Sequence, residues 1–458
     1  MLARLLPALI LSVATPGLAQ SPQEQLQSRY DRALAAGYKA LFTCSAIANT
    51  ERGLMGHAAR SLADIEAMEL TGIQPPLDAI MPELDAQVLV YGEGVAPVAE
   101  VRVPFAEGEA PRIAWHRQTG GCSLLPIGMA QAPTPKSVPF SDAIAVWTDR
   151  KFPNQRVERL FERGMGDAYG KGTRTTAIVV SRKGRPAIER YSAPYGPFTP
   201  QRTWSVAKSI AATLVGAAVH RGSINVADSA GLGLTEDDPR RAITIDQALR
   251  MASGRYSDTP GNRTDALYYG GATVDEVSLD WPLVHRPGTV FRYANNDTLA
   301  ATQAIAATFE TYPPAEFFRV MQMGHTVAET DWRGNYILSS QVWSTAQDLV
   351  RLGELYLADG VLPSGERLLP EGWASYVSAP SGPQPEGARG WGYGAGFWLF
   401  DKHRGIPRDT FFAAGNRGQY VVIVPSRDLV IVRRGEDPAG TRFDIEAFTR
   451  DTLATVGD

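Results

Sequence analysis

The sequence Arg202-Thr203-Trp204-Ser205-Val206-Ala207-Lys208-Ser209-Ile210 continues as AATLVGAAVH to residue 220. This pattern is typical of a helix that begins at the serine. A helix places residues i and i+3 on one face, so the amine of Lys208 can share a hydrogen bond with the hydroxyl of Ser205. A serine hydroxyl becomes a good nucleophile only when a neighbouring group takes its proton, and an amine at this spacing can help to do so. The N–H groups at the start of the helix can also stabilise an oxyanion.

A second motif lies further along the chain, in the block PGTVFRYANN (residues 287–296), and reads Tyr293-Ala294-Asn295. A tyrosine held beside an ammonium group can shuttle a proton. An asparagine side chain can both donate to and accept from an acyl-amide group. These residue types, combined with Ser205 and Lys208, indicate nucleophilic catalysis of acyl transfer.

The two motifs resemble the S-x-x-K and Y-x-N elements of serine β-lactamases, their esterase relatives and D-Ala-D-Ala carboxypeptidases. The resemblance includes the class C β-lactamases and covers roughly residues 140–458. It implies that Ser205 is the nucleophile and that Lys208 and Tyr293 share the proton transfer. It also implies that Asn295 contacts the substrate. Which of the lysine and the tyrosine is the general base is left open, because their titrations must be coupled.

The third element is FAAGNRGQ (residues 412–419), which precedes a predicted strand. β-Lactamases carry a K-T-G triad on the strand that lines the site, and this sequence has none. The stretch resembles instead the G-x-x-G-Q segment of 6-aminohexanoate-dimer hydrolase and related esterases. The resemblance implies an oxyanion hole made by the N–H groups of Asn416 and Ser205, with Gly415 allowing a close approach of the backbone to the substrate. Arg417 is a candidate partner for a substrate carboxylate, which a guanidinium binds in bidentate fashion.

Composition argues against several other kinds of function. The chain of 458 residues has a formal net charge of −4, and it contains no run rich in lysine and arginine. Neither nucleic acid nor an anionic membrane surface is therefore an expected partner. His57 and His116 are isolated, and no C-x-x-C or H-E-x-x-H motif is present. We expect no metal site and no cofactor.

The N-terminus has the pattern of a secretory signal peptide, predicted over residues 1–19. Arg4 gives a positive start, residues 5–13 form a short apolar run, and Gly17-Leu18-Ala19 is a small-x-small cleavage site. The apolar run is too short to span a bilayer comfortably, so stable membrane insertion is not expected. The sequence predicts a periplasmic or secreted protein whose mature chain begins at Gln20.

The mature chain divides into two parts in this interpretation. Residues 20–130 combine helical and strand-like patterns and are predicted to form an N-terminal α+β region. Residues 131–140 are a proline-containing linker, and residues 141–458 are predicted to form the hydrolase domain. An even number of cysteines in an exported chain favours a disulfide, so Cys44 and Cys122 are expected to be bonded within the N-terminal region.

The hydrolase part is expected to have a three-layer α/β (α+β) fold of the β-lactamase/transpeptidase type. Strand patterns over residues 175–180 and 186–191 precede the serine helix, and further strand patterns occur near the C-terminus, over residues 396–400, 419–424 and 429–433. The predicted helices between and after them are residues 243–252, 344–358 and 443–456. Strands at both ends of a helical middle predict one antiparallel sheet with an inserted helical lobe.

The sequence thus predicts an exported serine hydrolase that acts through a covalent acyl-enzyme. The missing K-T-G triad favours small carboxylesters or amides as substrates. The alternatives are a D-Ala-D-Ala carboxypeptidase or β-lactamase, and a catalytically silent binding protein of the same fold. A Ser-His-Asp hydrolase is disfavoured because no G-x-S-x-G motif occurs, and His285 and His325 are interpreted as structural or surface residues. The oligomeric state and the role of the N-terminal region are left open.

Overall fold

A computed structural model of the chain describes residues 21–51, 60–90, 100–117, 120–133, 152–183, 187–256, 264–387 and 389–456. The predicted signal peptide and most of the predicted linker lie outside the described residues. The description below concerns the described ranges.

Helices and strands occur in groups along these ranges. The helices are α1 Pro22–Glu51, α2 Leu62–Met68, α3 Leu77–Ile80, α4 Gln155–Met165, α5 Val206–His220, α6 Ile245–Leu249, α7 Asp265–Tyr268, α8 Val274–Ser278, α9 Asn295–Gln303, α10 Pro314–Val320, α11 Ala346–Leu357, α12 Trp373–Ser378 and α13 Ile445–Val456. The strands are β1 Gln87–Leu89, β2 Glu100–Val103, β3 Arg112–Arg117, β4 Gly121–Leu124, β5 Thr175–Arg182, β6 Ile188–Tyr191, β7 Gln201–Arg202, β8 Val327–Ala328, β9 Val342–Ser344, β10 Gly392–Tyr393, β11 Trp398–Leu399, β12 Phe411–Gly415, β13 Gln419–Val424 and β14 Leu429–Gly435. Among the described helices, none combines the length and the apolar character that crossing a bilayer requires.

The largest sheet is built from both ends of the hydrolase part. Its strand order is β10-β11-β12-β13-β14-β5-β6, and each neighbouring pair is antiparallel. The strands β5 and β6 precede the serine helix, whereas β10 to β14 come from the C-terminal part of the chain. Most of the helices lie in the sequence between these two groups of strands. This confirms the predicted fold, an antiparallel sheet from both ends with an inserted helical lobe.

Helices cover both faces of this sheet and give three layers. Successive side chains of a strand point to opposite faces, and along β5 Ala177 and Val179 join a core with α5 and α11. Ile178 and Val180 point the other way and join a second core with α4 and α13. The continuous apolar run of β5 follows from burial on both faces, since each of its faces meets a helical layer.

Two boundaries differ from the sequence prediction for identifiable reasons. The helix predicted over residues 243–252 is limited to α6, because Met251 adopts a left-handed conformation with φ of 58° that a helix cannot continue through. The segment 412–419 does not merely precede a strand. Its first half is the end of β12. This strand pairs with β13, and Gly415 opposite Gln419 is the last pair.

The N-terminal region packs α1 against a separate antiparallel sheet with the order β1-β2-β3-β4. A disulfide joins Cys44 on α1 to Cys122 on β4, with a Cα–Cα distance of 6.1 Å. The predicted cysteine pairing is therefore confirmed. The bond fixes the helix across the last strand of the small sheet, a strand that the sequence analysis did not predict.

The core of the N-terminal region is continuous with the hydrolase part. The ring of Phe42 on α1 lies 5.7 Å from that of Trp204 and 5.9 Å from that of Trp343, both centroid to centroid. The buried carboxylate of Glu329, from the hydrolase part, accepts hydrogen bonds from Ser45 Oγ at 2.6 Å and from Cys122 N at 3.1 Å. The N-terminal region is thus joined to the hydrolase part by shared apolar and polar contacts directly behind the serine turn.

Candidate active site

Ser205 stands at the N-terminus of α5, directly after a residue with an unusual backbone conformation. Trp204 has φ of 50°, in the left-handed region that non-glycine residues seldom adopt. Such a conformation persists only where the surroundings hold it. The Trp204 ring packs under the guanidinium of Arg202, 4.2 Å from its centroid, and against Phe42. This packing fixes the turn that exposes Ser205 to the cavity described below.

Lys208 lies one helical turn after Ser205, and its amine is enclosed by three acceptors. Its Nζ donates to Ser205 Oγ at 3.0 Å, to Asn295 Oδ1 at 2.7 Å and to the Ser339 carbonyl at 2.8 Å. Burial lowers the pKa of Lys208 to about 7, because the charged form loses its hydration. A large fraction of the amine is therefore neutral near neutral pH, where it can accept the proton of Ser205.

Tyr293 completes the group that surrounds the serine hydroxyl. Its phenol hydrogen-bonds Ser205, and Lys208 Nζ lies 5.1 Å from the centroid of its ring. Burial raises the pKa of Tyr293 above its usual value, and the hydrogen bond to Ser205 opposes only part of this effect. The tyrosine is therefore a phenol at neutral pH. The structure brings the S-x-x-K and Y-x-N motifs together as the sequence analysis expected.

Asn295, the first residue of α9, lies behind the lysine. Its Oδ1 accepts from Lys208, and its Nδ2 donates to Thr264 Oγ1 at 2.9 Å. Both ends of the carboxamide are therefore engaged within the protein. The sequence analysis assigned this residue to substrate, whereas its contacts fit an orienting role for the amine of Lys208.

Gly415, at the end of β12, lies against the nucleophile turn. A Cβ atom on Gly415 would lie 2.3 Å from the Thr203 carbonyl oxygen and 3.1 Å from Ser205 N, so only glycine fits. Asn416 follows directly and lines the same cavity as Ser205. The backbone of the 415–416 segment is thus brought beside the N-terminus of α5, which is the arrangement that an oxyanion hole from two chain segments requires.

The side chain of Arg417 serves a different purpose from the one predicted. Its Nε donates to Glu436 Oε2 at 2.7 Å, and its Nη atoms donate to the carbonyl oxygens of Met68, Thr71 and Gly72 at 2.7 to 3.1 Å. The side chain is only 3% exposed. This guanidinium binds the N-terminal region and an internal carboxylate, and we therefore withdraw its assignment to a substrate carboxylate.

A cavity of about 300 Å³ opens in front of Ser205. Aromatic residues form one wall, and the turn after β12 with the segment 437–443 forms another. The lining side chains that the sequence analysis missed include Arg389, Trp391, Trp398, Tyr420 and Arg442. The run WGYGAGFW (residues 391–398) carries a sequence signal for part of this wall, because aromatic residues so dense beside glycines suit a surface that approaches a ligand.

Comparison with known proteins agrees with this geometry. The family model described as Beta-lactamase matches residues 157–454, which include all the catalytic candidates. The chain belongs to the β-lactamase family. The N-terminal region of this β-lactamase-family protein lies outside the matched residues.

Individual relatives of this β-lactamase-family chain point in the same direction. A 6-aminohexanoate-dimer hydrolase of Paenarthrobacter ureafaciens is 26% identical over 300 residues, which are 58% of this chain and 74% of that protein. A structure from Bacillus anthracis, assigned as a 6-aminohexanoate-dimer hydrolase, has a TM-score of 0.53 at 21% identity and covers 65% of this chain and 81% of that one. A structure from Bacteroides dorei DSM 17855, assigned as a β-lactamase, has the same TM-score at 19% identity, with coverage of 66% and 98%. The two structures support the fold.

Proposed function

We propose that the protein is an exported serine hydrolase that transfers the acyl group of a small ester or amide to water through a covalent intermediate on Ser205. The hydrogen bond between Lys208 Nζ and Ser205 Oγ, made by an amine whose burial brings its pKa to about 7, is the observation that carries the proposal. Among the described residues Lys208 has no carboxylate partner, and burial of an amine without one is costly for a fold. A role in proton transfer explains why Lys208 lies buried beside the Ser205 hydroxyl.

The proposed reaction has two stages. Ser205 Oγ attacks the substrate carbonyl while its proton passes to the pair formed by Lys208 and Tyr293, and the N–H groups of Ser205 and Asn416 stabilise the oxyanion. The pair then gives this proton to the leaving oxygen or nitrogen, so the alcohol or amine departs and an acyl ester remains on Ser205. Water attacks this ester and gives a proton to the same pair, which passes it to Ser205 Oγ as the acyl–oxygen bond breaks. The product acid departs and the Ser205 hydroxyl is restored.

The cavity also supports a proposal about the substrate, namely that it carries a carboxylate. Arg389 and Arg442 are exposed side chains that line the cavity, and their guanidinium carbons lie 4.7 and 5.3 Å from the centroid of the Trp391 ring. Partial burial lowers the pKa of Arg389, and the charge of Arg442 lowers it further. Tyr420 and Glu446 oppose this shift. Within the described residues, neither guanidinium forms an ion pair. Two such donors suit an anion brought by the substrate.

An aromatic surface connects the two arginines to the catalytic group. The Tyr293 ring stacks on that of Trp398 at 5.3 Å, and Trp398 contacts the ring of Trp391 at 5.6 Å. Apolar atoms of a substrate can lie along this surface while one end meets Ser205 and the other meets the arginines. We therefore propose an acid-bearing ester or amide with an apolar spacer as the preferred substrate.

A matched pair of esters tests the substrate proposal. Mono-p-nitrophenyl adipate and p-nitrophenyl hexanoate have acyl chains of equal length and differ in the terminal carboxylate. In the unmodified protein we expect a higher kcat/KM for the adipate than for the hexanoate. The double variant Arg389→Gln/Arg442→Gln should lower kcat/KM for the adipate by about 10-fold or more and leave kcat/KM for the hexanoate unchanged. Arg427→Gln, which removes the same charge from an exposed turn outside the cavity, serves as the control. Equal rates for the two esters in the unmodified protein would contradict the carboxylate proposal.

A broader screen tests the reaction class. Rates with p-nitrophenyl esters, nitrocefin and D-Ala-D-Ala peptides separate an esterase or amidase from a β-lactamase or carboxypeptidase. The sequence contains no K-T-G triad, and the strand β12 that reaches the serine ends in Ala413-Ala414-Gly415, which supports the first class. A preference for nitrocefin over short esters by orders of magnitude would reverse this ranking. Absence of any covalent labelling by a fluorophosphonate would favour a silent binding protein.

Export belongs to the proposal as well. The disulfide between Cys44 and Cys122 supports maturation in an oxidising compartment. N-terminal sequencing of protein made with its leader should give Gln20 as the first residue. Retention of the leader in protein that carries the disulfide would contradict the proposed processing.

A further inference from the structure

The turn between β12 and β13 holds the second proposed oxyanion donor and has a strained conformation. Asn416 is followed by Arg417 with φ of 56° and by Gly418 with φ of 78°. The left-handed region is natural for glycine but unfavourable for arginine. An arginine persists there when contacts elsewhere over-determine the turn, and for Arg417 these contacts come from the N-terminal region.

The contacts are made at the C-terminal end of α2. The last carbonyl groups of a helix lack partners within the helix and carry partial negative charge. Arg417 Nη2 donates to the Met68 carbonyl at 2.7 Å and to that of Thr71 at 3.0 Å, and Nη1 donates to that of Gly72 at 3.1 Å. The planar guanidinium thus binds three carbonyl groups of residues 68–72 at once.

Residues 68–72 also contact the 437–439 segment, which follows β14 and forms part of the cavity wall. Ala439 N donates to the Gly72 carbonyl at 2.7 Å, and Asp437 N donates to the Arg417 carbonyl at 3.2 Å. A Cβ on Gly72 would lie 2.7 Å from the Cβ of Pro438, so the backbones approach as closely as glycine allows. Residues 68–72, the turn of Arg417 and the 437–439 segment therefore form one connected unit.

Glu436 connects this unit to the nucleophile. Its Oε2 accepts from Arg417 Nε at 2.7 Å, and its Oε1 accepts from Gln201 Nε2 at 3.0 Å. Gln201 belongs to β7, the strand that leads into the turn of Trp204 and Ser205. One buried carboxylate therefore ties together the two chain segments that present the proposed oxyanion donors.

We infer that residues 68–72 of the N-terminal region, with Arg417 and Glu436 as positioning residues, hold the Asn416 N–H in register with the Ser205 N–H for oxyanion binding. The inference rests on the proposed hydrolase function and extends it, because it makes the N-terminal region part of the catalytic apparatus. Neither positioning residue needs to touch the substrate. Their effect passes through the backbone of the turn.

The test compares three variants in the full mature chain. Arg417→Met removes the charge and the donors, Arg417→Lys keeps the charge without the planar fork, and Glu436→Gln keeps the shape without the charge. Arg351→Lys disturbs a partly buried arginine–carboxylate contact outside the cavity, with Asp348 at 2.7 Å, and is the matched control. The measurements are kcat and KM for p-nitrophenyl hexanoate and the inhibition constant of an alkyl boronic acid, whose tetrahedral adduct mimics the oxyanion.

We expect Arg417→Met to lower kcat by about 10-fold or more with little change in KM, since a displaced oxyanion donor acts on the transition state. Affinity for the boronic acid should fall in parallel, and Arg417→Lys should recover part of both losses. If Arg417→Met does not fold, Glu436→Gln and Arg417→Lys are expected to show the same losses to a smaller degree. The Arg351→Lys control should keep kcat and boronic acid affinity.

Two kinds of failure are distinguishable in this design. An unmodified protein that neither turns over esters nor reacts with a fluorophosphonate at Ser205 would overturn the proposed function and the inference with it. An unmodified protein that is active, with variants that keep its kcat and boronic acid affinity and show only a lower melting temperature, would overturn the inference alone. In that case Arg417 would serve stability only.

Discussion

Lys208 Nζ lies 3.0 Å from Ser205 Oγ, and the two other acceptors of this amine are Asn295 Oδ1 and the Ser339 carbonyl. A charged ammonium group can donate to all three acceptors. A neutral amine can keep the two bonds to Asn295 and Ser339 and use its lone pair to accept from the serine hydroxyl. The same geometry therefore accommodates the lysine before and after it takes the proton.

The first prediction concerns pH. Because burial lowers the pKa of Lys208 to about 7, kcat/KM for a neutral ester should rise with pH to a plateau, with a midpoint near 7. The unfolded chain holds this proton up to the ordinary lysine pKa of 10.5, so the lysine's contribution to stability increases with pH between about 7 and 10.5. Stopped-flow rates across the pH range measure the midpoint. A midpoint near the ordinary lysine value would contradict the part given to neutral Lys208 in the proton transfer.

The second prediction concerns Tyr293. Tyr293→Phe should lower kcat by about 100-fold to 10,000-fold, the usual range for a lost acid–base group, while the protein keeps its fold because the ring packing on Trp398 is retained. Burial raises the pKa of Tyr293, so the unmodified protein should keep its activity into the alkaline range without loss from phenol ionisation. Steady-state kinetics and circular dichroism check both statements. A variant with unchanged kcat would remove the tyrosine from the mechanism.

The third prediction concerns the close approach at Gly415. Gly415→Ala would place a Cβ 2.3 Å from the Thr203 carbonyl and 3.1 Å from Ser205 N, and should therefore displace the oxyanion donors. We expect a loss of about 100-fold in kcat, comparable to removal of one donor. Gly166→Ala is the control, because its Cβ would meet neighbours at 3.5 Å or more. Equal activity of the two variants would show that no oxyanion hole is formed at this turn.

The fourth prediction concerns the disulfide. Cys44→Ala/Cys122→Ala should lower the free energy of unfolding by up to about 4 kcal/mol, as expected for closure of a long loop. The bond lies outside the group around Ser205, so acylation should still occur in protein that stays folded. Denaturant unfolding and fluorophosphonate labelling measure the two properties separately. Loss of labelling in a fully folded variant would mean that the bond is required for chemistry.

Local motifs explain why the grouping of Ser205, Lys208 and Tyr293 could be predicted from the sequence. Ser205 and Lys208 are joined by helical spacing, and Tyr293 belongs to a short motif with its own chemistry, so their types and order carried the information. The direction of the Arg417 side chain could not be read in this way. It depends on a left-handed backbone and on carbonyl groups of residues 68–72, which are remote in sequence.

The fold shows the same division between local and distant causes. The long strands β5, β13 and β14 have continuous apolar runs and were predicted. The strand β11 lies within the predicted run 396–400 but has only two residues, and the two-residue strand β10 was not predicted, because the pairing of these strands comes from the sheet edge rather than from their own composition. That edge brings Arg389, Trp391 and Trp398 to the cavity, which is why these residues were missed.

The most direct test of the central claim is the site of covalent modification. The mature protein is mixed with a p-nitrophenyl ester or a fluorophosphonate, quenched, and analysed by intact-protein and peptide mass spectrometry. We predict one adduct per chain on Ser205, with no adduct and no ester hydrolysis in Ser205→Ala that folds normally. Hydrolysis by Ser205→Ala at the unmodified rate, or an adduct on another residue, would contradict the account.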